Sequence, residues 1–207
     1  MNAADALMRG VAELQLDLPR EVGERLMKYL ALLEKWNRVY NLTAVREARH
    51  MVTHHLLDSL SVVPYVRAKT LLDLGSGAGL PGIPLALALP QTRVTLLDAN
   101  QKKAVFLRQV KIELELENVE IACARAEAWQ PAERFEVVIS RAFSDLRKFV
   151  ALAGRLCTKE GILAAMRGVC PKEELARLPV EFRVKKVVPL KVPGLAASRH
   201  LVLLQPA

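Results

Sequence analysis

The chain has 207 residues, 52% of them hydrophobic and 25% charged, an ordinary globular mix that excludes global disorder and accommodates one substantial domain with an added element. Its longest strongly apolar stretch, Ile83–Leu89, is cut by Pro84 and is far too short to cross a bilayer, and no apolar signal core accompanies the early acids Asp5 and Glu13, so a cytoplasmic protein is expected. Net charge is +8, yet Met1–Ser140 balances at 17 Lys+Arg against 17 Asp+Glu, while Arg141–Ala207 carries 13 against 5. The whole excess therefore lies in the last third, as a polyphosphate partner requires, although a generic basic surface has the same composition. The three cysteines, Cys123, Cys157 and Cys170, form no close pair and read as reduced, buried thiols.

In chain order, the first seventy residues read as helical. Val22, Leu26, Tyr29, Leu30, Leu33, Trp36 and Tyr40 recur at spacings of three and four and make one wide apolar face, with Pro19 where the helix begins and Asp17 as a cap. A second helix is expected from about Arg46 to Val63, ended by Pro64. The period then changes. Strands are expected at Thr70–Leu74, Arg93–Asp98, Val119–Ala122, Phe135–Ser140, Gly161–Met166, Phe182–Leu190 and His200–Leu204. Helices fall between the first five, at Pro81–Leu89, Gln101–Glu117, a short one near Glu127, and Ser144–Cys157. This alternation means parallel βαβ units, and the last two runs, joined through Val192-Pro193-Gly194, read as a closing antiparallel hairpin. The expectation is an α/β, Rossmann-like class I methyltransferase fold: a seven-stranded, mostly parallel sheet, with residues 1–66 as an N-terminal helical extension and 67–207 as the main domain.

DLGSGAGLPG, Asp73–Gly82, follows the first strand and opens a helix. Gly75, Gly77 and Gly79 allow a sharp bend and close approach to a ligand beyond the strand ends. Gly77, Gly79 and Gly82 also fit the dinucleotide spacing, so the glycines alone do not separate NAD from S-adenosylmethionine. The methyl donor is favoured by the Asp73 carboxylate, which disfavours a pyrophosphate, and by Glu127 after the third strand, placed for an adenine amine. Asp98 ends the second strand, where it suits the ribose hydroxyls of either ligand. Arg141 follows the fourth strand beside the reacting centre, where its guanidinium is suited to orient the cofactor or pair with a guanine oxygen. Phe143 is a candidate to stack on an extruded base or to belong to the core. His50 and His54 have helical ligand spacing, but no Glu follows His50 and no third ligand is evident, so no metal is expected.

Seven strings together resemble one family: YNLTA (Tyr40–Ala44), HHLLDSL (His54–Leu60), DLGSGAGLPGIPLA (Asp73–Ala86), LLDANQKKAVFLRQV (Leu96–Val110), ARAE (Ala124–Glu127), ISRAF (Ile139–Phe143) and RHLVLL (Arg199–Leu204). That family is the bacterial small-subunit ribosomal RNA guanine-7 methyltransferase, also called glucose-inhibited division protein B. The resemblance implies methyl transfer from S-adenosylmethionine, leaving S-adenosylhomocysteine, to the 7-position nitrogen of a guanine in the 530 loop of 16S rRNA (guanine-527 in the usual rRNA numbering). It implies Gly75, Leu80, Ala126, Glu127 and Arg141 as cofactor positions, with Asp98, Ala99 and Asn100 at the ribose. Ala99 departs from the family pattern, where a serine is expected after the aspartate.

Guanine N7 carries a lone pair and no proton, so no general base is expected, and positioning carries the catalysis, with Arg141 as the orienting group. Candidate substrate contacts are Asn41, which also suits a structural turn, His54 and His55 on a polar helix face with Asp58, Phe143, Arg199 and His200. The expected partner is 16S rRNA, the 30S subunit or an assembly intermediate, with no DNA and no membrane, and the protein a monomer. A methyltransferase for a small molecule or protein, or a nucleoside sensor without turnover, are the competing readings.

Overall fold

A computed structural model describes residues 2–207. Helix α1 (Ala3–Glu13) opens on a capping box: the Asn2 side chain accepts from the Asp5 amide at 2.8 Å, and the Asp5 carboxylate accepts from the Asn2 amide. Helix α2 (Arg20–Tyr40) buries Leu26, Tyr29, Leu30 and Leu33, as its spacing predicts. Pro19 occupies the cap position and no side chain bonds the first turn, so Asp17 is not the cap expected. The single helix expected over 46–63 is a composite: α3 (Ala48–Met51), a π-helical stretch (Val52–Leu57), α4 (Asp58–Leu60), then a 3-10 turn at Val63–Tyr65.

The strands are β1 (Thr70–Leu74), β2 (Arg93–Asp98), β3 (Val119–Cys123), β4 (Phe135–Ser140), β5 (Cys157–Arg167), β6 (Phe182–Leu190) and β7 (Arg199–Pro206). Helices α5 (Gly82–Ala88), α6 (Gln101–Glu113), α7 (Leu146–Ala153) and α8 (Lys172–Leu175) lie between them. The short helix expected near Glu127 does not form: residues 124–134 hold a single turn, at 126–128, among bends and irregular chain. Pro131 removes a donor from a stretch already too short to nucleate, and Arg155 occupies the Ala126 and Trp129 carbonyls.

The sheet order is β3-β2-β1-β4-β5-β7-β6. β1 to β5 run parallel, while β7 is antiparallel to both β5 and β6, the closing hairpin expected. Strand order reverses between β1 and β4, so the crevice for a ligand opens beyond Leu74 and Ser140. Alternation along β1 sends Leu71 to one face and Leu72 and Leu74 to the other. On the first face Leu71 and Phe106 share a continuous core with Leu7, Leu26, Tyr29 and Leu33 of the N-terminal helices. On the second face α7 packs Phe149 and Val150 against Val138, Leu163 and Val202. Of the cysteines, only Cys157 is buried; Cys123 is exposed and Cys170 intermediate.

Candidate active site

The turn after β1 is bound to β2 before it reaches any ligand. The Gly75 and Ser76 amides donate to the Leu97 carbonyl at 2.8 and 3.0 Å, and the Gly77 amide to Asp98 Oδ2 at 2.8 Å. Gly75, Gly77 and Gly79 have φ of +76°, +59° and +91°. At Gly75 a Cβ would also stand 3.0 Å from Ala142 Cβ, so both conformation and space select glycine there. Asp98 Oδ1 accepts from the Asn100 amide at 2.8 Å, and the Asn100 side chain caps α6 through the Lys102 and Lys103 amides. Each Asp98 oxygen therefore holds one backbone donor and keeps a lone pair, and the side chain is 13% exposed. That is the chemistry a vicinal diol requires.

Asp73 plays a different part from the one its sequence position suggests. Its side chain is on the α5 side of the sheet, fully buried, with Oδ2 accepting from the Gly82 amide at 2.8 Å and Oδ1 without a protein partner. A Cβ at Gly82 would come 2.7 Å from Asp73 Oδ2 and 2.2 Å from Leu96 Cδ2. The carboxylate thus secures the turn from beneath and does not face the ligand, so it is no electrostatic argument against a pyrophosphate. Burial pushes its pKa up to about 7. Helix α2 completes the turn: its Tyr29, fully buried, donates to the Ala78 carbonyl at 2.7 Å. Leu42 and Thr43 join Gly75, Leu80, Lys103 and Arg141 around a groove of about 210 Å³.

The remaining cofactor candidates lie on the loops after β3 and β4. The Ala126 carbonyl accepts from Arg155, while the Glu127 side chain is exposed. Ser140 Oγ, at the end of β4, donates to the Leu74 carbonyl at 2.6 Å and joins the two strand ends at the reversal. Arg141 follows immediately. Its Nη1 donates to Asp58 Oδ2 at 3.1 Å and to the His54 carbonyl at 3.0 Å. In an α-helix the His54 carbonyl would take the Asp58 amide, but here that amide bonds the Thr53 and His55 carbonyls.

Arg141 also borders a second cavity, of about 400 Å³, with His54, His55, Asp58, Arg167 and Arg199. His55 is 4% exposed and pairs through Nε2 with Thr43 Oγ1 at 2.9 Å; burial, then the Arg141 charge, lowers its pKa to about 4, so it is neutral near pH 7. His54 Nδ1 lies 3.0 Å from the His50 carbonyl, and His50 pairs with Glu47 at 3.2 Å. Arg199 Nε donates to Asp58 Oδ1 at 3.0 Å, and His200 Nδ1 lies 3.2 Å from the Gly168 carbonyl. Phe143 is half-buried with its ring 5.6 Å from Phe149, and lines an adjoining hollow with Arg141 and Arg167. Asn41 lines neither the groove nor this cavity: it is the left-handed cap of α2, with φ +49°. The structure therefore favours its turn role.

Arg167 and Thr43 escaped the sequence reading. Arg167 ends β5, pairs with Glu174 and donates to the Phe143 carbonyl at 2.7 Å. Its signal was the strand end itself, which the shorter expected strand at Gly161–Met166 missed. The basic last third also divides. Arg141, Arg167 and Arg199 meet at the crevice, whereas Arg183 on β6 lies opposite Gln205, towards the other end of the sheet.

A family model described as rRNA small subunit methyltransferase G matches residues 23–202. The chain is 52% identical to a ribosomal RNA small subunit methyltransferase G of Laribacter hongkongensis, over 99% of each chain. It is 51% identical to one of Pseudomonas aeruginosa, over 98% of this chain and 95% of the relative. Among solved structures, the O-methyltransferase TomG from Streptomyces achromogenes in complex with SAM superposes with a TM-score of 0.61 at 16% identity, covering 89% of this chain and 90% of that one. The mitomycin 7-O-methyltransferase MmcR gives 0.65 at 16% identity, covering 99% and 67%. At such identity these two likenesses speak for the methyltransferase fold alone.

Proposed function

Since the chain belongs to the rRNA small subunit methyltransferase G family, we infer that it transfers a methyl group from S-adenosylmethionine to the 7-position nitrogen of a guanine in the 530 loop of 16S rRNA. The observation that carries this reading is the crevice at the strand-order reversal, where the glycine turn, Asp98 and Arg141 converge beside an arginine-lined cavity. The groove fits a nucleoside: it offers positive-φ glycine backbone and an Asp98 with acceptor capacity to spare. We assign the ribose to Asp98 with Ala99 and Asn100, the adenine end to Ala126 and Glu127, and the remaining contacts to Gly75, Gly77, Gly79, Leu80 and Arg141. When bound, the cofactor supplies an electrophilic sulfonium methyl.

The site's own residues are arranged for transfer without proton removal. Asp73 is sealed beneath the turn, His55 is hydrogen-bonded to Thr43 and made a weak base by the burial that lowers its pKa to about 4, and both Asp58 oxygens hold arginines. None of them is placed as a general base, and guanine N7 needs none. Catalysis then rests on holding the base in line with the methyl, which we assign to Arg141 from the cofactor side. His54, Phe143, Arg199 and His200 serve the RNA side, with His55 positioned behind them. We further propose that residues 1–66 act as an extension built onto the 67–207 domain, and that the enzyme works as a monomer in the cytoplasm on 16S rRNA, free or within the 30S subunit or an assembly intermediate. Among the described residues no helix is long and apolar enough to cross a membrane.

The test is incubation of the purified protein with labelled cofactor and, in parallel, naked 16S rRNA, 30S subunits and assembly intermediates. Labelled 7-methylguanine in the RNA is the expected result. Label confined to protein or to small molecules would remove the proposal.

A further inference from the structure

Asp58 is a buried acid between two bases. Its side chain is 2% exposed, Oδ2 accepts from Arg141 Nη1 at 3.1 Å, and Oδ1 accepts from Arg199 Nε at 3.0 Å. The three residues come from separate stretches: the first residue of α4, just after the π-helical segment, the turn after β4 and the first residue of β7. The π register adds a third attachment, because the His54 carbonyl accepts from Arg141 at 3.0 Å. Two guanidiniums on one cavity wall repel, and an acid between them makes their approach favourable only when its own burial is matched by good geometry.

The pairing leaves donors to spare. Arg141 bonds through Nη1 alone, and Arg199 through Nε to Asp58 and Nη1 to the Ser198 carbonyl. Among the described residues, Nε and Nη2 of Arg141 and Nη2 of Arg199 have no protein acceptor. The two side chains are 26% and 23% exposed and line the 400 Å³ cavity, Arg141 bordering the glycine groove as well.

We propose that Asp58 is a positioning residue: it fixes Arg141 and Arg199 so that the free Nε–Nη2 edge of Arg141 and the free Nη2 of Arg199 grip acceptor oxygens of the target nucleotide beside the methyl donor. Guanidinium recognition is directional, so a fork left to rotate loses its alignment even though its charge remains. The inference rests on reading the cavity as the RNA side of the site.

The experiment uses the full chain with a single RNA substrate and saturating S-adenosylmethionine, resolving kcat from KM, with cofactor affinity by calorimetry and thermal unfolding alongside. Asp58→Asn keeps the shape and removes the charge. It is expected to lower kcat/KM for RNA by at least about thirtyfold, chiefly through kcat, with the cofactor kept saturating for each variant according to its calorimetric Kd, since Arg141 also borders the cofactor groove. Because Asp58 acts through the arginines, Asp58→Asn combined with Arg199→Gln is expected to fall within about twofold of Asp58→Asn alone. Multiplying losses would overturn the proposal, as would an unchanged kcat in Asp58→Asn. Should Asp58→Asn not fold, Arg199→Lys retains the charge without the fork. A loss of at least about tenfold in kcat with cofactor binding intact then supports the proposal, and unaltered kcat overturns it. A wild-type chain inactive on RNA overturns the functional reading itself, a result distinct from an active wild type with an equally active Asp58→Asn.

Discussion

Asp73 and His55 are buried titratable groups whose displacements act on stability in opposite directions. Asp73 is raised to about 7, so between its unfolded value near 4 and that point the native state holds a proton the unfolded chain has released. Its contribution to stability is therefore present in acid and lost as pH rises from about 4 to about 7. His55 is lowered to about 4, so the unfolded state binds the extra proton and stability from this group rises between about 4 and 6.5. In the wild type the two slopes largely offset. Asp73→Asn retains an acceptor for the Gly82 amide and removes only the descending slope. The variant is expected to gain stability relative to wild type as pH increases from 4 to 7, by a few kcal/mol at most, on the order of 1.4 per pH unit. Urea unfolding at a series of pH values measures this, and a difference independent of pH would refute the assignment. Asp98 was readable from the chain because a strand end fixes where its carboxylate goes. Asp73 was readable as a turn residue, but strand alternation and the α5 contact turned it away from the ligand.

Helix α2 shows how an element distant in sequence shapes the groove. Tyr29 is buried, and burial raises its hydroxyl pKa well above the ordinary value, so it remains a donor to the Ala78 carbonyl throughout the working range. Tyr29→Phe leaves that carbonyl unsatisfied. We expect a loss of about 1–3 kcal/mol in denaturant unfolding together with cofactor affinity weakened severalfold by calorimetry. A fall in stability with unchanged affinity would confine Tyr29 to the core. The same helix closes α6 from outside: Arg25 Nη2 and Lys28 Nζ donate to the Leu114 and Glu113 carbonyls, each at 2.5 Å. The apolar face of α2 was legible from its spacing, since any buried helix needs one. The π-helical stretch was not. Over six residues, the difference between 3.6 and a wider turn hardly alters which positions are apolar, and Arg141 supplies a donor from 87 residues away.

At the scale of the molecule, the basic excess predicts its own measurement. Affinity for RNA is expected to fall steeply with salt, with a log–log slope of magnitude several, because phosphate contacts release condensed counterions. A flat response across 50–200 mM salt, order-of-magnitude bounds for such titrations, would argue against phosphate contacts. Sequence alone determined the alternation of strands and helices, the closing hairpin, the glycine turn and the family resemblance. All of these depend on local periodicity or on residues close together in the chain. It also located the positive charge in the last third. Tertiary structure decided what those residues do. It put Asp58 between Arg141 and Arg199, set Tyr29 beneath the glycine turn and sent Arg183 towards the far end of the sheet. Such pairings join residues as far apart as 141 positions, and no local pattern encodes them, because each partner is chosen by the packing of helices onto the sheet.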